Sequence, residues 1–379
     1  MLKKDLHIVA DDKIPFLKGV LEPFCTVEYF PGKEINRQVL KNTDALITRT
    51  RTKVNKELLE GTLVKFVATA TIGTDHLDTD WLTKKDIKWV NAPGCNSGSV
   101  MQYIGGALTY LSYKHNFDFT KMNLGIIGVG NVGSKVAKLG KNLGFNILLN
   151  DPPRERNEGK AQFTSLPELL RASDIVSMHV PLNKTGKDKT QDLVNKEFLR
   201  STKKGAIFIN SSRGPIVEES SLKEALISRK IANSVLDVWQ HEPEIDPELM
   251  KLVDIATPHI AGYSIDGKAN GTSMVVNALS SYFHLPISNW YPDTLPEPNN
   301  KSITINCEDL SDQKILEKAV RFTYEIEGDD QNLRKNLIEF ENLRGNYPIR
   351  REFSSYEIQL ENETERIIKK LNDLGFKTK

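Results

Sequence analysis

Three short polar segments in the second half of the 379-residue sequence each follow an apolar run that is typical of a β-strand. They are residues 210–214 with Arg213, residues 237–243 with Asp237 and Glu242, and residues 257–263 with His259. Taken singly, a surface arginine, a helix-capping acid or a hydrogen-bonded core histidine would be the usual explanation. Together they supply a cation, carboxylates and a titratable imidazole at one predicted sheet edge, which favours a catalytic site.

These residue types suit hydride transfer at a carbon that bears a hydroxyl group and lies next to a carboxylate. Arg213 can bind the carboxylate through paired hydrogen bonds. His259 can remove the hydroxyl proton, since an imidazole titrates near neutral pH and works in both directions. Glu242 can hydrogen-bond the other ring nitrogen, which fixes the tautomer and stabilises the imidazolium. We expect Asp237 to lie nearer the cofactor.

A glycine-rich segment predicts the cofactor site. The apolar run at residues 124–127 leads into Gly128, Gly130 and Gly133, and a helical pattern and a second apolar run follow. The glycines permit a tight turn, close approach of a pyrophosphate and close helix packing, and the helix start at Asn131 and Val132 offers N–H groups to phosphates.

Asp151 decides which dinucleotide this segment favours. It stands eighteen residues after Gly133, near the ~20 expected of an acid that binds an adenosine ribose. A carboxylate there repels a 2′-phosphate, so NAD is predicted, although nearby Arg154 keeps NADP as an alternative. A purely structural glycine turn is the other alternative.

The first half alternates short apolar runs with helical patterns, which predicts βα units on a parallel sheet. Residues 49–52 (RTRT) and 69–74 (TATIGT) follow two of these runs and offer guanidinium, hydroxyl and backbone N–H groups, a combination suited to an anionic substrate. A solvated arginine pair and a helix cap are the alternative explanation. Residues 75–78 (DHLD) indicate a helix start, and no metal site is predicted.

Three parts are predicted for the chain: two doubly wound parallel-sheet α/β domains and a small α+β domain. The boundaries are a substrate domain at 1–95 completed by 260–285, a Rossmann domain at 96–259, a linker at 286–300, and a C-terminal domain at 301–379. The proline-rich linker favours an independent last domain, and oligomerisation is a simpler role for it than ligand-dependent regulation.

Composition indicates an ordinary globular protein, with 39% hydrophobic and 27% charged residues. Lys plus Arg number 51 against 50 for Asp plus Glu, so the net charge of +1 argues against nucleic-acid and membrane-surface partners. The three cysteines are widely spaced, which favours a reducing, cytoplasmic location. We expect neither a signal peptide nor a transmembrane segment.

Five motifs together resemble the D-2-hydroxyacid dehydrogenase family: GVGNVG with Asp151, HVPL at 179–182, NSSRG, DVWxxEP and TPHIAG. The resemblance covers roughly residues 6–285. It implies NAD as cofactor, and it gives Arg213, Glu242 and His259 the roles of substrate-binding arginine, orienting glutamate and acid/base. It also implies cofactor contacts from Asp237, Gly262 and Val180, where Val180 replaces a threonine and leaves only backbone groups.

Further segments extend the resemblance to a branch of this family that has a C-terminal dimerisation domain: RTRTKVN, KFVATATIGTDHLD, APGCN, NDPPR, HIAGYSIDGKANGT and LRGNYPIRREFS. This implies a homodimer and, as substrate, a small phosphorylated 2-hydroxy acid contacted by Thr50, Thr71 and Tyr263. Thr50 stands where the family has serine, so the hydroxyl is kept. A further hypothesis is that Arg350 or Arg351 reaches the substrate phosphate of a neighbouring subunit.

Two alternatives remain open. One is another enzyme of the family, such as a 3-phosphoglycerate dehydrogenase or hydroxypyruvate reductase, which would use the same three catalytic residues. The other is a non-enzymatic NAD-sensing protein similar to a corepressor. The complete catalytic set favours an enzyme over a sensor.

Overall fold

The computed structural model describes residues 6–379, which form two compact units. The first unit contains the described residues up to Asn96 together with Ser264–Pro296. The second contains Ser97–Tyr263 and Glu297–Lys379, so the C-terminal segment packs in the same unit as the glycine-rich loop.

The first unit is built on a five-stranded parallel sheet of order β2-β1-β3-β4-β5, the doubly wound order of flavodoxin-like folds. Its strands are β1 (His7–Asp11), β2 (Thr26–Phe30), β3 (Ala45–Thr48), β4 (Phe66–Thr69) and β5 (Lys88–Val90). The strands β3 and β4 are buried along their whole length, which explains why they are continuous apolar runs. The apolar runs of the sequence predict strands at residues 6–10, 26–29, 45–48, 66–70 and 88–90, and the observed bounds agree with these to within one residue.

Three helices accompany this sheet: Lys56–Leu59, Thr79–Lys84 and Ile265–Phe283. The side chain of Asp78 accepts a hydrogen bond from the N–H of Trp81, which confirms the predicted helix start at residues 75–78. The long helix packs Val275, Val276 and Leu279 into the core beside β1 and β4. Gly271 lets this helix approach β4 closely, because a Cβ atom there would lie 2.8 Å from the carbonyl oxygen of Ala70.

The second unit contains a six-stranded parallel sheet of order β11-β10-β9-β8-β6-β7, as predicted for the dinucleotide domain. Its strands are β6 (Asn123–Ile127), β7 (Asn146–Asn150), β8 (Ile175–Met178), β9 (Ala206–Asn210), β10 (Ile231–Leu236) and β11 (Ile255–Ala256). The chain order reverses at β6, which pairs with both β7 and β8. Open α/β sheets bind ligands at the carboxyl ends of strands beside such a switch point.

Seven helices surround this sheet: Ser97–His115, Asn131–Leu143, Pro152–Glu158, Leu166–Ala172, Lys196–Ser201, Glu219–Ile227 and Pro247–Leu252. Four short 3-10 helices lie at Phe119–Lys121, Gly214–Ile216, Leu337–Glu339 and Phe353–Ser355. The helix Pro152–Glu158 was not predicted, because its sequence PPRERNE has no apolar face and none of its residues is buried.

The C-terminal segment adds a small parallel sheet and four helices. The strands are β12 (Ser302–Asn306), β13 (Glu357–Glu361) and β14 (Lys377–Thr378), and the helices are Asp312–Thr323, Ile326–Lys335, Phe340–Gly345 and Glu365–Leu374. The predicted α+β character is confirmed. The two middle helices and β14 were not predicted.

The helix Ser97–His115 is buried from Ser97 to Thr109 because both of its faces are covered. One face packs in the same core as Leu139, and the helix Asp312–Thr323 contributes Leu316 and Val320 to that core. The hydroxyl of Ser112 donates a hydrogen bond to Glu317 at 2.5 Å. The C-terminal segment therefore completes the core of the second unit.

Within residues 6–379, no helix combines the length and apolar character needed to cross a membrane. The same residues contain no cluster of three or more His, Cys, Asp or Glu side chains arranged to hold a metal ion. Cys25, Cys95 and Cys307 are buried free thiols.

Candidate active site

The three predicted catalytic residues lie on loops at the carboxyl ends of adjacent strands. Arg213 follows β9, Glu242 follows β10 and His259 follows β11. The loops are in close contact, because a Cβ atom at Gly214 would overlap the carbonyl oxygen of Trp239. Only glycine therefore allows the loop that carries Arg213 to pack against the loop that carries Glu242.

His259 and Glu242 form a direct pair. The Nδ1 atom of His259 lies 2.7 Å from Oε2 of Glu242, and the N–H of Trp239 donates to Oε1 of Glu242 at 2.9 Å. Burial opposes ionisation of this carboxyl, but hydrogen bonding and charge from His259, the Trp239 N–H and the Arg344 charge hold the pKa of Glu242 below its usual value. Glu242 is thus kept ionised beside the imidazole.

Asp237 holds the backbone of the loop that carries His259. Its carbonyl oxygen accepts from the N–H of His259, and its carboxylate accepts from the N–H groups of Ile260 and Ala261 and from the hydroxyl of Thr257. The side chain is 1% exposed. These contacts were not foreseen from the sequence, and the cofactor contact predicted for Asp237 stays a prediction.

The backbone of His259 is left-handed, with φ of +58°. A non-glycine residue in this region is strained by about 1–3 kcal/mol and persists only where surrounding contacts enforce it. Here the hydrogen bonds to Asp237 on both sides of the residue supply that enforcement. The loop is built to hold one imidazole orientation.

The glycine-rich turn has the geometry of a phosphate cradle. Gly128 has φ of +86°, and a Cβ atom at Gly133 would overlap the Gly128 carbonyl oxygen. Gly130 differs, because a Cβ there would meet no atom within 4 Å. Gly130 caps the helix Asn131–Leu143 without a side-chain hydrogen bond, so the first-turn N–H groups suit a pyrophosphate.

Asp151 and Arg154, the two residues on which the predicted choice of dinucleotide depends, contact each other and the glycine-rich turn. The carboxylate of Asp151 accepts from the N–H groups of Val129 and Arg154, at 2.8 and 3.0 Å, and so lies beside the glycine turn. The guanidinium of Arg154 forms a two-pronged ion pair with Glu158, at 2.6 and 2.7 Å, and also donates to the Val129 carbonyl. Hydrogen bonding to Glu158 raises the pKa of Arg154, and Arg154 lowers the pKa of Glu158. Glu158 is therefore paired with Arg154, the cation that could otherwise bind the 2′-phosphate of NADP.

Two further predicted cofactor residues lie near this turn or the catalytic loop. Val180 follows β8 and is half-buried, next to His179, whose pKa burial lowers to about 3. Gly262 directly follows the residues held by Asp237. His179 was missed as a titrating group, because nothing in the HVPL motif reveals its burial.

The first unit positions two predicted substrate residues. Thr50 and Thr71 follow the neighbouring strands β3 and β4, and Thr50 is exposed. The hydroxyl of Thr71 lies 2.8 Å from that of Thr69 and donates to the Gly73 carbonyl. Arg49 is paired with the buried carboxylate of Asp11 at 3.4 Å, so its charge has an internal partner.

Tyr263, the third predicted substrate residue, lies in the second unit against residues of the C-terminal segment. Its ring meets that of Tyr347 edge-on at 5.9 Å, and the guanidinium of Arg344 lies 5.8 Å from its centroid. Arg350 is buried and donates to the carbonyls of Ile260 and Ala261 of its own chain. These contacts lie within one chain, and the hypothesis that Arg350 or Arg351 reaches a neighbouring subunit stays a prediction.

Two parts of the chain match known protein families. Residues 109–261 match the family described as D-isomer specific 2-hydroxyacid dehydrogenase, NAD binding domain, and residues 294–375 match a domain of unknown function. The D-lactate dehydrogenase of Aquifex aeolicus, solved with NAD and lactic acid, superposes with a TM-score of 0.61 at 25% identity. That match covers 73% of this chain and 95% of the other.

Curated relatives match over a greater length. The erythronate-4-phosphate dehydrogenase of Bacteroides fragilis is 46% identical over 354 residues, covering 93% of this chain and 99% of the relative. Those of Proteus mirabilis and Pseudomonas syringae are 40% and 37% identical, each covering 98% of this chain and 99% of the relative. The chain therefore belongs to the D-isomer specific 2-hydroxyacid dehydrogenase family, as an NAD-dependent oxidoreductase similar along almost its whole length to erythronate-4-phosphate dehydrogenases.

Proposed function

We propose that the chain oxidises 4-phospho-D-erythronate to (R)-3-hydroxy-2-oxo-4-phosphooxybutanoate with NAD, a step in vitamin B6 biosynthesis. The observation that carries this proposal is the similarity to relatives named erythronate-4-phosphate dehydrogenase, 46% identical over 99% of the relative's length. This similarity includes the C-terminal segment, whereas the Aquifex aeolicus structure covers only 73% of the chain.

Three residues carry the reaction in this proposal. Arg213 binds the substrate carboxylate through paired hydrogen bonds. His259 removes the proton of the C2 hydroxyl as the carbonyl forms, and the imidazolium that results is stabilised by Glu242, 2.7 Å away. NAD, when bound, supplies the acceptor for the hydride that leaves C2.

The remaining proposed contacts divide between substrate and cofactor. We assign substrate contacts to Thr50, Thr71 and Tyr263, and cofactor contacts to Gly128, Gly130, Asn131, Val132, Gly133, Asp151, Val180, Asp237 and Gly262. The open space beside Gly130 and the carboxylate of Asp151 at the same turn support the cofactor assignment. In this scheme residues 1–95 with 260–285 form the substrate domain, and residues 96–259 form the NAD domain.

The C-terminal segment is also proposed to form a homodimer. Ile338 is 95% exposed and Ile349 is 53% exposed, so the segment has apolar side chains available for a subunit contact. Sedimentation velocity of the wild type and of Ile338→Asp tests this: a dimer that dissociates in the variant supports it, and a monomeric wild type contradicts it.

The three buried free thiols fit the proposed reducing, cytoplasmic location.

A single-turnover assay tests the substrate and the base together. Enzyme in excess is mixed with NAD and 4-phospho-D-erythronate, 3-phospho-D-glycerate or D-glycerate, and the appearance of NADH is followed. Reduction with the erythronate alone, lost in His259→Ala, supports the proposal. Reduction with 3-phospho-D-glycerate alone would leave an enzyme of the same family with another substrate. NAD binding without reduction by any of them would favour the sensor alternative.

A further inference from the structure

Arg350 of the C-terminal segment contacts the loop that carries His259. Its Nη2 atom donates hydrogen bonds to the carbonyl oxygens of Ile260 and Ala261, at 3.1 and 2.6 Å. The residue is only 5% exposed. Burying a charged guanidinium is costly, and here its hydrogen-bond acceptors are two backbone carbonyls directly after His259. This placement indicates that the arginine positions the loop.

Asp237 and Arg350 both form hydrogen bonds with the backbone of Ile260 and Ala261. The N–H groups of Ile260 and Ala261 donate to the carboxylate of Asp237, while their carbonyl groups accept from Arg350. Both residues of the loop are therefore fixed at donor and acceptor alike. Since His259 is left-handed and precedes them directly, a shift of these peptides would move its imidazole relative to Glu242.

Arg350 is itself held by aromatic rings. Its guanidinium carbon lies 4.6 Å from the centroid of Tyr324 and 5.6 Å from that of Tyr347, distances that suit cation–π interactions. Both tyrosine hydroxyls donate to Oδ2 of Asp329, at 2.7 and 2.6 Å, which fixes the rings. The half-buried carboxylate of Asp329 thus fixes the two tyrosine rings that contact the guanidinium.

The backbone on the C-terminal side of Arg350 is anchored as well. The carbonyl of Arg351 accepts from Nε2 of the buried Gln102, and the carboxylate of Glu352 accepts from the hydroxyl of Ser99. Both partners lie in the first two turns of the helix Ser97–His115. The cation is therefore presented to the catalytic loop from a fixed backbone.

We propose that Arg350 is a positioning residue for catalysis, through which the C-terminal segment fixes the catalytic loop and so orients His259 toward the substrate hydroxyl. This inference rests on the proposed role of His259 as the base. It gives the segment a part in turnover within a single chain, separate from any part in dimer formation.

Arg334 offers a matched control, because it is a second arginine of the C-terminal segment that donates to two backbone carbonyls. Its Nη1 and Nη2 atoms bind the carbonyl oxygens of Met250 and Val253, at 2.7 and 2.9 Å. Those residues belong to the end of the helix Pro247–Leu252 and not to the catalytic loop. Arg334→Met therefore removes contacts with two backbone carbonyls at another place, together with an ion pair to Asp330.

The experiment compares Arg350→Met, Arg350→Lys and Arg334→Met in the full-length chain. Steady-state kcat and KM, the Kd of NAD, and amide hydrogen exchange of the loops are measured for each. For Arg350→Met we expect faster exchange at Ile260 and Ala261 and a fall in kcat of about 10- to 100-fold, with the Kd of NAD unchanged. Arg350→Lys should lie between, because one ammonium cannot match the guanidinium geometry. Arg334→Met should leave kcat unchanged.

A kcat for Arg350→Met no lower than that of Arg334→Met would overturn the inference. If Arg350→Met does not fold, Arg350→Lys carries the test, and full kcat with unchanged exchange at Ile260 and Ala261 would overturn it. His259→Ala separates this result from the proposed function. If His259→Ala is fully active, His259 is not the base, and both the proposed mechanism and this inference are wrong. If His259→Ala is inactive while Arg350→Met is fully active, only this inference is wrong.

Discussion

The imidazole of His259 lies 2.7 Å from Glu242, whose other carboxylate oxygen accepts from the N–H of Trp239. The carboxylate is therefore held at both oxygens. Since an ionised carboxylate can only accept, the proton of the neutral imidazole resides on Nδ1 and the lone pair of Nε2 remains available to a substrate.

Replacing Glu242 by glutamine tests this relationship. The amide keeps the shape but can present its NH2 group to Nδ1 and stabilise the wrong tautomer, so we expect kcat to fall by about 10²–10⁴-fold. The melting temperature should change little, because the amide can still accept from Trp239. A variant with near wild-type kcat would show that Glu242 does not set the tautomer.

The glycine turn predicts opposite outcomes for two alanine substitutions. Gly130→Ala meets no protein atom, so we expect only a small loss of thermal stability, from the poorer helix cap, but NAD binding weaker by at least about 1.4 kcal/mol, which is tenfold in Kd. Gly133→Ala forces a Cβ onto the Gly128 carbonyl and should lower the free energy of unfolding by about 1–3 kcal/mol. Calorimetry for stability and fluorescence titration for NAD separate the two. Equal NAD affinity in Gly130→Ala and wild type would argue against a pyrophosphate at this turn.

Asp151 and Glu158 together predict how the cofactor preference can be changed. Asp151→Ser removes the charge that repels a 2′-phosphate, and Glu158→Gln releases Arg154 from its ion pair. We expect the double variant to gain more NADP-dependent activity than Asp151→Ser alone, measured as the ratio of kcat/KM for the two cofactors. If the double variant and Asp151→Ser have the same ratio of kcat/KM for NADP and NAD, Arg154 does not contribute to the cofactor preference.

His179 predicts a pH dependence of stability. Burial lowers its folded-state pKa to about 3 from the ordinary 6.5, so the unfolded chain binds the extra proton between these values. The free energy of unfolding therefore falls as the pH drops below 6.5, where the unfolded chain binds a proton that the partly buried imidazole does not. Urea titrations should show a smaller loss for His179→Gln over the same range. An equal loss in both proteins would contradict the burial argument.

Local pattern was sufficient to predict much of the fold. The sequence predicts strands at residues 45–48, 88–90, 175–178 and 302–306, and β3, β5, β8 and β12 have these bounds. Each is a short apolar or alternating run between turn residues, although only β3 and β8 are buried along their whole length. The helix Pro152–Glu158 escaped prediction since it buries no residue, and its local support is polar: the cap on Asp151 and the ion pair between Arg154 and Glu158. A helix with no buried face has no apolar periodicity from which it could be predicted.

The candidate site was predictable only in part for a similar reason. His259 and Glu242 stood out because each follows a strand end with a titratable side chain, and the structure joins them. The role of Asp237 as a backbone anchor depends on loop geometry that no spacing reveals. Arg350 is separated from the carbonyl it binds at Ile260 by 90 positions, so only the folded chain shows the contact.

The interleaving of the two units has a consequence for how the protein folds during synthesis. The sheet of the first unit requires the helix Ile265–Phe283, and the helix Ser97–His115 requires cover from the segment Glu297–Lys379. Each core therefore stays open on the ribosome until a much later stretch has emerged, although domains generally fold as units in the order of their synthesis. The nascent chain passes through a stage in which two finished sheets expose apolar faces, and chaperone binding should concentrate in that interval.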